Sequence, residues 1–260
     1  MDGLIETTLQ QLGVGHEKKS VEGSSKTGTK KRTTQAPSLY KCDKCQDKGY
    51  IEIEENGQIF VEICECTKVR QAEIEMVRSG VNRSKTFENF ITKEPFQRTM
   101  VKIADDYITK GYKEGKWLFA GGQVGCGKTH ICTAVVNELM KKGIACKYMT
   151  WRDESIKLKA NITDYSFEEL IQPYKDVRVL YIDDFFKSQT TPTPADVNLA
   201  FLILNYRYND KSLLTVISSE LYLADIVDLD EATGSRIVER TKGYRIEVAS
   251  DKSRNYRLNS

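Results

Sequence analysis

A glycine-rich stretch that ends in lysine and threonine carries the clearest chemical signal in the sequence. It runs Trp117-Leu-Phe-Ala-Gly-Gly-Gln-Val-Gly-Cys-Gly-Lys-Thr-His130, and residues 122–129 match G-x-x-x-x-G-K-[ST]. Glycines let the backbone turn its N–H groups towards phosphate oxygens, in conformations that a Cβ would obstruct. An apolar run precedes the match and a helical pattern follows it, which favours a phosphate-binding loop over a chance match. The predicted nucleotide contacts are Gly122, Gln123, Val124, Gly125, Cys126, Gly127, Lys128, Thr129 and His130.

The last two residues of this loop have separate predicted roles. Lys128 is expected to reach the β- and γ-phosphates of ATP, and the hydroxyl of Thr129 to ligate Mg²⁺. The helix that begins here points the positive end of its dipole at the same phosphates. The loop therefore predicts a site for ATP and magnesium.

A pair of carboxylates follows an apolar strand further along the chain. Residues 177–184 read Val-Arg-Val-Leu-Tyr-Ile-Asp-Asp, and Asp183 follows Lys128 by 55 positions (183 − 128). Asp183 is predicted to hold Mg²⁺ opposite Thr129, directly or through water. Asp184 is placed to orient or deprotonate a water for attack on the γ-phosphate. The alternative is a pair that only closes the strand or caps a turn, and the position after the apolar strand favours the catalytic interpretation.

The elements that must position these groups alternate along the chain. Strands are predicted over 145–151, 177–184, 212–219 and 244–248, and helices over 129–142, 153–160, 194–208 and 231–241. Continuous apolar strands that alternate with helices predict an α/β fold, a parallel sheet with helices on both faces. Ligands of such sheets bind at the carboxyl ends of the strands. The loop, the two aspartates and Ser218-Ser219 should therefore share one rim.

Four of the seven cysteines form a separate candidate metal site. Cys42 and Cys45 are joined to Cys64 and Cys66 by an alternating apolar segment with Asn-Gly at its centre, a strong signal for a β-hairpin with a type I′ turn. The hairpin brings both pairs to one end, where four thiolates make a closed tetrahedral Zn²⁺ site with no position open to water. Free thiols or two disulfides are the alternatives.

Composition excludes several classes of protein. The net charge of +2 gives no overall signature of polyanion binding, so contacts with nucleic acid must come from local patches. The sequence contains no run of about 18 apolar residues, so a membrane span is not predicted, and the N-terminus lacks the pattern of a signal peptide. An odd number of cysteines beside a nucleotide loop argues against a secreted disulfide framework. We expect a cytoplasmic protein.

The chain is predicted to have three parts. Residues 1–40 form a flexible arm, in which Glu17 to Ser38 is rich in Lys, Ser, Thr and Gly and carries the basic triplet Lys30-Lys31-Arg32. Residues 41–80 contain the zinc hairpin, and residues 81–260 the nucleotide-binding core. Within the core, Phe87 and Phe90 are predicted to pack internally, with a position beside the adenine as the alternative.

The ordered set of motifs resembles a known family. Residues 41–260 are similar to the bacterial and phage replicative helicase loaders of the DnaC/DnaI type, which are AAA+ ATPases. The markers are the cysteine hairpin, Thr-Phe-Glu-Asn-Phe90, Gly122–Thr129, Ile-Asp-Asp-Phe185, Thr-Val-Ile-Ser-Ser-Glu220 and Gly-Ser-Arg-Ile237. The resemblance implies an AAA+ core that self-associates through its ATP sites, and a zinc module that grips the replicative helicase.

The resemblance also implies roles for individual residues. Ser218, Ser219 or Glu220 would be the polar sensor of the γ-phosphate. Arg236 would be the arginine finger, which acts on the ATP of a neighbouring subunit. An ion pair with Glu239 is the alternative for Arg236, and Arg240 is a second candidate for the finger. Arg254 or Arg257 would contact phosphate from beyond the last strand.

The resemblance places single-stranded DNA on the side of the core formed by residues 152–175. This segment carries Arg152, Lys157, Lys159 and Lys175 with Trp151, Tyr165 and Tyr174 interspersed. Basic groups and stacking aromatics suit a DNA backbone track. Nearby acidic residues leave an ordinary solvated helix face as the alternative.

These observations lead to one functional prediction and its rivals. We expect an ATP-dependent loader that delivers the replicative helicase onto single-stranded DNA. The rivals are a helper ATPase of transposition, of the IstB type, and an adaptor that binds nucleotide without significant hydrolysis. A metabolic P-loop kinase would need a substrate lid, and Arg236 within Gly-Ser-Arg-Ile argues against it.

Overall fold

The computed structural model describes residues 40–55, 57–67, 69, 70, 74, 82–187 and 191–258. The predicted flexible arm, apart from Tyr40, and the basic triplet within it lie outside the described residues. Within them, no helix is long and apolar enough to cross a membrane. All seven cysteines are described, and none of them forms a disulfide.

The predicted hairpin is present between the two cysteine pairs. Strand β1 (Tyr50–Glu55) pairs antiparallel with β2 (Gln58–Ile63), and Glu55 lies opposite Gln58. The connection is therefore two residues long, and Gly57 within it has φ of 78°, as primed turns require. Both cysteine pairs lie at the same end of this hairpin.

The core is a five-stranded sheet in which every pair of neighbours is parallel. Its strands are β3 (Leu118–Gly122), β4 (Cys146–Thr150), β5 (Val179–Asp183), β6 (Leu214–Ser218) and β7 (Arg245–Val248), in the order β4-β5-β6-β3-β7. All residues of the three central strands are buried. The prediction of a parallel sheet with continuous apolar strands is confirmed.

Helices cover both faces of this sheet. They are α1 (Pro95–Asp106), α2 (Lys128–Lys141), α3 (Trp151–Ala160), α4 (Phe167–Asp176), α5 (Pro194–Asn209), α6 (Leu223–Leu229) and α7 (Glu231–Arg240). Side chains of successive strand residues point to opposite faces. Thus Leu118 packs in one hydrophobic cluster with α1 and α2, and Phe119 in a second cluster with α3 to α7.

Several boundaries differ from the sequence predictions. The strand predicted over 145–151 ends at Thr150, because Trp151 begins α3 and packs against Phe185 and Phe186. The helix that starts at Pro95 changes to a π-helix over Tyr107–Gly111. Helices α4 and α6 are additional: α4 contains Pro173, a residue that usually ends or kinks a helix, and α6 has only seven residues, too few to show a clear period.

Candidate nucleotide site and thiol cluster

The glycine-rich loop joins β3 to α2 with its glycines in left-handed conformations. The φ values of Gly122, Gly125 and Gly127 are 94°, 72° and 102°. At Gly127 a Cβ would lie 2.8 Å from the ring of Phe90, so both the conformation and the space require glycine. Gly127 also precedes the first residue of α2, so the unpaired N–H groups of the helix start face the loop.

Lys128 folds back over the loop that it ends. Its Nζ donates to the backbone oxygens of Gly122 (2.8 Å) and Gln123 (2.7 Å). Burial lowers the pKa of this ammonium from its ordinary value, although nearby acidic groups oppose the shift. The lysine therefore lies at the phosphate-binding loop with its ammonium hydrogen-bonded to backbone oxygens, an arrangement suited to anionic ligands.

Thr129 lines the pocket and contacts Asp183, which is buried next to it. The hydroxyl of Thr129 donates to Oδ1 of Asp183 at 3.0 Å. The same carboxylate accepts hydrogen bonds from Tyr181 (3.0 Å), from Tyr148 (2.9 Å) and from Ser218. A hydroxyl and a carboxylate are oxygen ligands that Mg²⁺ accepts, so these two residues fit the predicted magnesium site. The sequence motifs do not identify the two tyrosines as site residues, although Tyr181 lies two positions before Asp183 and so shares its face of the strand.

Asp184 follows on the same rim, in contact with a lysine that the sequence did not single out. Nζ of Lys187 lies 3.1 Å from Asp184 and 2.9 Å from Glu220. Burial lowers the pKa of Lys187, but its hydrogen bonds to Glu220 and Asp184 outweigh this and raise the pKa above its ordinary value. The backbone of Asp184 has φ of 54°, an uncommon value for a residue with a Cβ, and such strain is frequent at functional sites.

The predicted contact between Ser219 and nucleotide is corrected by its geometry. The hydroxyl of Ser219 is buried and donates to the backbone oxygen of Phe185 at 2.7 Å, and it accepts from the backbone of Leu221. It therefore faces the protein interior. Of the three sensor candidates, Glu220 lines the pocket, and Ser218 contacts Asp183 and the backbone N–H of Asp184.

The remaining pocket wall comes from segments before and after the core motifs. The full lining is Lys85, Val124, Gly125, Gly127, Lys128, Thr129, His130, Asp184, Lys187, Glu220 and Arg257. Arg257 reaches the pocket because the backbone N–H of Tyr256 donates to Gly125 at 3.2 Å. Arg254 instead contacts Asp251 and the ring of Phe96. Of the two C-terminal candidates, the structure places Arg257 at the pocket.

The segment before α1 packs on the start of α2. Nε2 of His130 lies 2.9 Å from the backbone oxygen of Thr86 and 2.9 Å from Oδ1 of Asn89, and its ring contacts Phe90 edge-on. Phe90 is buried in the core and Phe87 packs against the same cluster. The interpretation of both phenylalanines as packing residues is confirmed.

Helix α7 carries two arginines with different environments. Arg240 is buried, lies over the ring of Trp117 and donates to the backbone oxygens of Tyr208 (2.7 Å) and Leu213 (2.9 Å). These contacts hold α7 against the sheet, so the suggestion of Arg240 as an arginine finger is wrong. Arg236 is half-buried and does not line the pocket of its own chain.

Aromatic rings support the guanidinium of Arg236. It lies 5.1 Å from the ring of Phe201 and 5.5 Å from that of Tyr208. Nη1 of Arg236 donates to the backbone oxygen of Ala232 at 2.6 Å, Glu239 accepts from Tyr208 (2.6 Å), and these two described residues form no ion pair with each other. Gly234 allows α7 to approach α6, because a Cβ there would lie 2.6 Å from Cα of Val227. This places Arg236 on a fixed helix.

The four predicted zinc ligands converge. The sulfur atoms of Cys42, Cys45, Cys64 and Cys66 all lie within 4.8 Å of one another, with separations of 3.8 Å and 3.4 Å for two of the pairs. A tetrahedron with Zn–S bonds of ~2.3 Å has edges of ~3.8 Å, so the cluster fits this ion.

Hydrogen bonds support ionisation within the cluster. Burial raises the pKa of the Cys45 thiol, but hydrogen bonds from the backbone of Gly49 and from the three other cysteines lower it to about 7. The Cys66 thiol, which is bonded to Cys45, has its pKa raised to about 12, first by that bond and then by burial. A thiolate is the form that binds metal, so the donor set suits a thiophilic cation.

The predicted DNA track is largely engaged in other contacts. Trp151 and Tyr174 are buried in the core, which leaves Tyr165 as the exposed aromatic of the three. Lysines of this segment pair with carboxylates: Lys157 with Glu154 (2.7 Å), Lys159 with Asp196, and Lys175 with Glu168 (2.8 Å). Lys157 lies on a solvated helix face, as the alternative has it, whereas the side chains of Lys159 and Lys175 are only 24% and 11% exposed.

Comparison with known proteins identifies related chains. The model of the family described as IstB-like ATP binding protein matches residues 68–259. YqaM of Bacillus subtilis (strain 168) is 35% identical over 211 residues, which are 75% of this chain and 66% of YqaM. The phage-like element PBSX protein XkdC of the same organism is 31% identical, and the match covers 85% of this chain and 86% of XkdC. The chain thus spans just under two thirds of YqaM.

Helicase loaders are found among the relatives and the solved structures. The replicative helicase loader DnaI of Bacillus subtilis (strain 168) is 28% identical over 142 residues, 50% of this chain and 45% of DnaI. The crystal structure of the DnaC helicase loader superposes with a TM-score of 0.53 at 21% identity, over 64% of this chain and 96% of that chain. This likeness shows a shared fold, with the α/β core of AAA+ loaders.

Proposed function

The chain belongs to the family of IstB-like ATP binding proteins, and we propose that it is an ATP-dependent loader of a replicative DNA helicase. The observation that carries the ATPase part is the bond between Thr129 and Asp183 beside Lys128, at the end of the glycine-rich loop. The loader part is supported by the kinship with DnaI and by the cysteine hairpin in front of the core.

The proposed hydrolysis uses residues of the rim in separate roles. Lys128 binds the β- and γ-phosphates, and the loop backbone cradles them. Thr129 and Asp183 hold Mg²⁺, which supplies positive charge at the phosphate oxygens. Asp184 orients the attacking water and accepts its proton. Tyr148 and Tyr181 hold the carboxylate of Asp183 in place through their hydroxyl groups.

Arg236 supplies the group that the pocket of one chain lacks. Its guanidinium is held on α7 away from the pocket of its own chain, as expected for a residue that acts on a neighbouring subunit. There it stabilises charge on the transferring phosphoryl group. In this proposal ATP binding assembles subunits, and hydrolysis needs two of them.

The hairpin is proposed to hold zinc and to grip the helicase. Residues directly opposite each other on the two strands share a face, so Ile59, Val61 and Ile63 lie beside Glu54, Glu52 and Tyr50. The three apolar side chains are 69%, 67% and 59% exposed. An apolar stripe of this kind on a small module is suited to a protein partner. The helicase surface that fits it is apolar with basic groups at its edge.

Single-stranded DNA is proposed as the second partner, because the helicase must be placed on it. The ion pairs of residues 152–175 make that segment a poor track. Exposed Tyr165 remains its best candidate for base stacking.

The family match also favours a second function, that of a transposition helper ATPase. The two functions differ in the protein that co-purifies with the chain: a replicative helicase for a loader, a transposase for a helper. We therefore propose affinity purification from the host, with wild-type protein and with the double variant Ile59→Ser/Val61→Ser. The variant should lose the helicase, since the two side chains are exposed and their replacement leaves the core intact.

ATP turnover is measured on the same preparations. Lys128→Ala is expected to lower the affinity for ATP by at least about tenfold, since charged hydrogen bonds contribute roughly 1.5–3 kcal/mol each. A chain that binds ATP but shows no turnover, with or without single-stranded DNA, would be an adaptor. Recovery of a transposase in place of the helicase would reject the loader proposal.

A further inference from the structure

A lysine that belongs to no sequence motif bridges two carboxylates inside the nucleotide pocket. Nζ of Lys187 lies 3.1 Å from Oδ2 of Asp184 and 2.9 Å from Oε1 of Glu220. All three side chains line the pocket together with Lys128 and Thr129. Each is about one-third exposed (36%, 33% and 34%), so each can meet a ligand. The bridge is therefore built into the binding site.

We propose that Lys187 is the cation through which this pocket distinguishes ATP from ADP. While the pocket holds no γ-phosphate, Lys187 ties Asp184 to Glu220. When ATP binds, the ammonium turns to the γ-phosphate and releases Asp184 to orient water. The inference deepens the proposed nucleotide site and rests on it.

The charges at this end of the pocket require such a cation. Asp184 follows Asp183, whose carboxylate bonds the hydroxyl of Thr129, so Asp184 and Glu220 face the γ end of a bound triphosphate. Two carboxylates there repel the γ-phosphate of ATP, whereas ADP brings no charge to that position. The ammonium of Lys187 offsets this repulsion, and its removal must weaken ATP binding more than ADP binding.

The turn that carries Lys187 is anchored, so its side chain can move alone. The backbone N–H of Lys187 donates to the carbonyl of Asp184 at 2.9 Å, and that of Phe185 donates to Ser218 at 2.8 Å. The rings of Phe185 and Phe186 stack 4.1 Å apart and are buried. A lysine has a flexible four-carbon stem. The ammonium can therefore change partners without a shift of the backbone.

The test compares the affinities of the full-length protein for a non-hydrolysable ATP analogue and for ADP, both with Mg²⁺, by calorimetry. In Lys187→Met the ratio of ATP to ADP affinity should fall by about tenfold or more, because one charged contact with phosphate is lost and two carboxylates are left unpaired. In Glu220→Gln the ratio should rise, since repulsion decreases and Lys187 is freer. Lys187→Arg should retain most of the ratio.

Lys85 provides a matched control. It also lines this pocket, together with Lys128 and Lys187, but lies on the segment that contacts His130 rather than beside Asp184. Lys85→Met should therefore change the two affinities by similar factors.

Two outcomes would overturn the inference. The ratio could be unchanged in Lys187→Met, even if both affinities fall, or Glu220→Gln could shift the ratio in the same direction as Lys187→Met. In either case wild-type binding would leave the proposed nucleotide site standing. Wild-type protein that binds neither nucleotide would reject both. Should Lys187→Met fold poorly, the opposite shift expected in Glu220→Gln decides the matter.

Discussion

The nucleotide pocket lies at the end of a buried five-stranded sheet, whereas the thiol cluster lies at the end of a two-stranded hairpin. In the pocket, Asp183 accepts hydrogen bonds from four hydroxyl groups, and the strands behind it are fully buried. In the hairpin, all six residues of β2 are exposed. Packing therefore preforms the first site, while the second has little apolar burial to hold it.

Because the two sites differ in burial, we expect them to respond differently to loss of their ligands. The pocket geometry depends on protein atoms alone, so it should persist without nucleotide. The cysteine cluster suits a cation whose binding free energy is also folding free energy. If the proposal of zinc holds, the same chain contains one site that the fold stabilises and one site whose ligand stabilises the fold around it.

Metal removal should give the largest effect. Chelation, or Cys45→Ser, is expected to unfold residues 42–66, because structural zinc contributes about 10–16 kcal/mol in small modules. The affinity of the core for ATP should change by less than about threefold, since the pocket is built from other elements. Limited proteolysis and zinc analysis measure the first effect, and nucleotide titration the second. A hairpin that stays folded without metal would remove the distinction between the two sites.

Loss of Arg236 should have the second-largest effect. Arg236→Ala is expected to reduce turnover by about 10³-fold at saturating protein, the effect of removing an arginine finger. ATP affinity should hardly change, because Arg236 does not line the pocket of its own chain. Arg240→Ala is the contrasting variant one turn along α7. It should lower the midpoint of urea unfolding, because Arg240 bonds the backbone oxygens of Tyr208 and Leu213. Full turnover in Arg236→Ala would contradict the role proposed for it.

Gly127 tests whether packing preforms the phosphate loop. Gly127→Ala should destabilise the protein by about 1–3 kcal/mol, because it forces an unfavourable φ and places a Cβ 2.8 Å from Phe90. Gly243→Ala is the matched control, with φ of 92° and no atom within 4 Å of its Cβ. The difference in unfolding free energy between the two variants measures the contact with Phe90. Equal values would mean that Phe90 does not constrain the loop.

The smallest effect is expected on the solvated helix face. Lys157→Ala removes an exposed pair with Glu154 and should change stability by less than about 0.5 kcal/mol. Affinity for single-stranded DNA should also stay within twofold, as expected for a side chain outside the DNA contact. A fluorescence anisotropy titration with an oligonucleotide checks this, with Tyr165→Ala as the companion variant. A clear loss of affinity for single-stranded DNA in Lys157→Ala would support the prediction that residues 152–175 bind DNA.

The phosphate loop, the aspartate pair, the cysteine hairpin and the parallel sheet could all be predicted from the amino-acid sequence. Each of these depends on local patterns: a fixed glycine spacing, an apolar strand before two carboxylates, Asn-Gly between alternating residues, and strand–helix alternation. Such patterns act through backbone geometry over a few residues, so they can be read without knowing what packs nearby.

Which side chains face the sites could be known only from the folded structure. It turned Ser219 inwards and brought Glu220 to Lys187, 33 positions away (220 − 187). It also placed Arg257 rather than Arg254 at the pocket, and separated Arg236 from the buried Arg240. These choices depend on rotamers and on contacts between distant segments. Periodicity along the chain carries no information about either, because it specifies the face of an element and not the partner that packs against it.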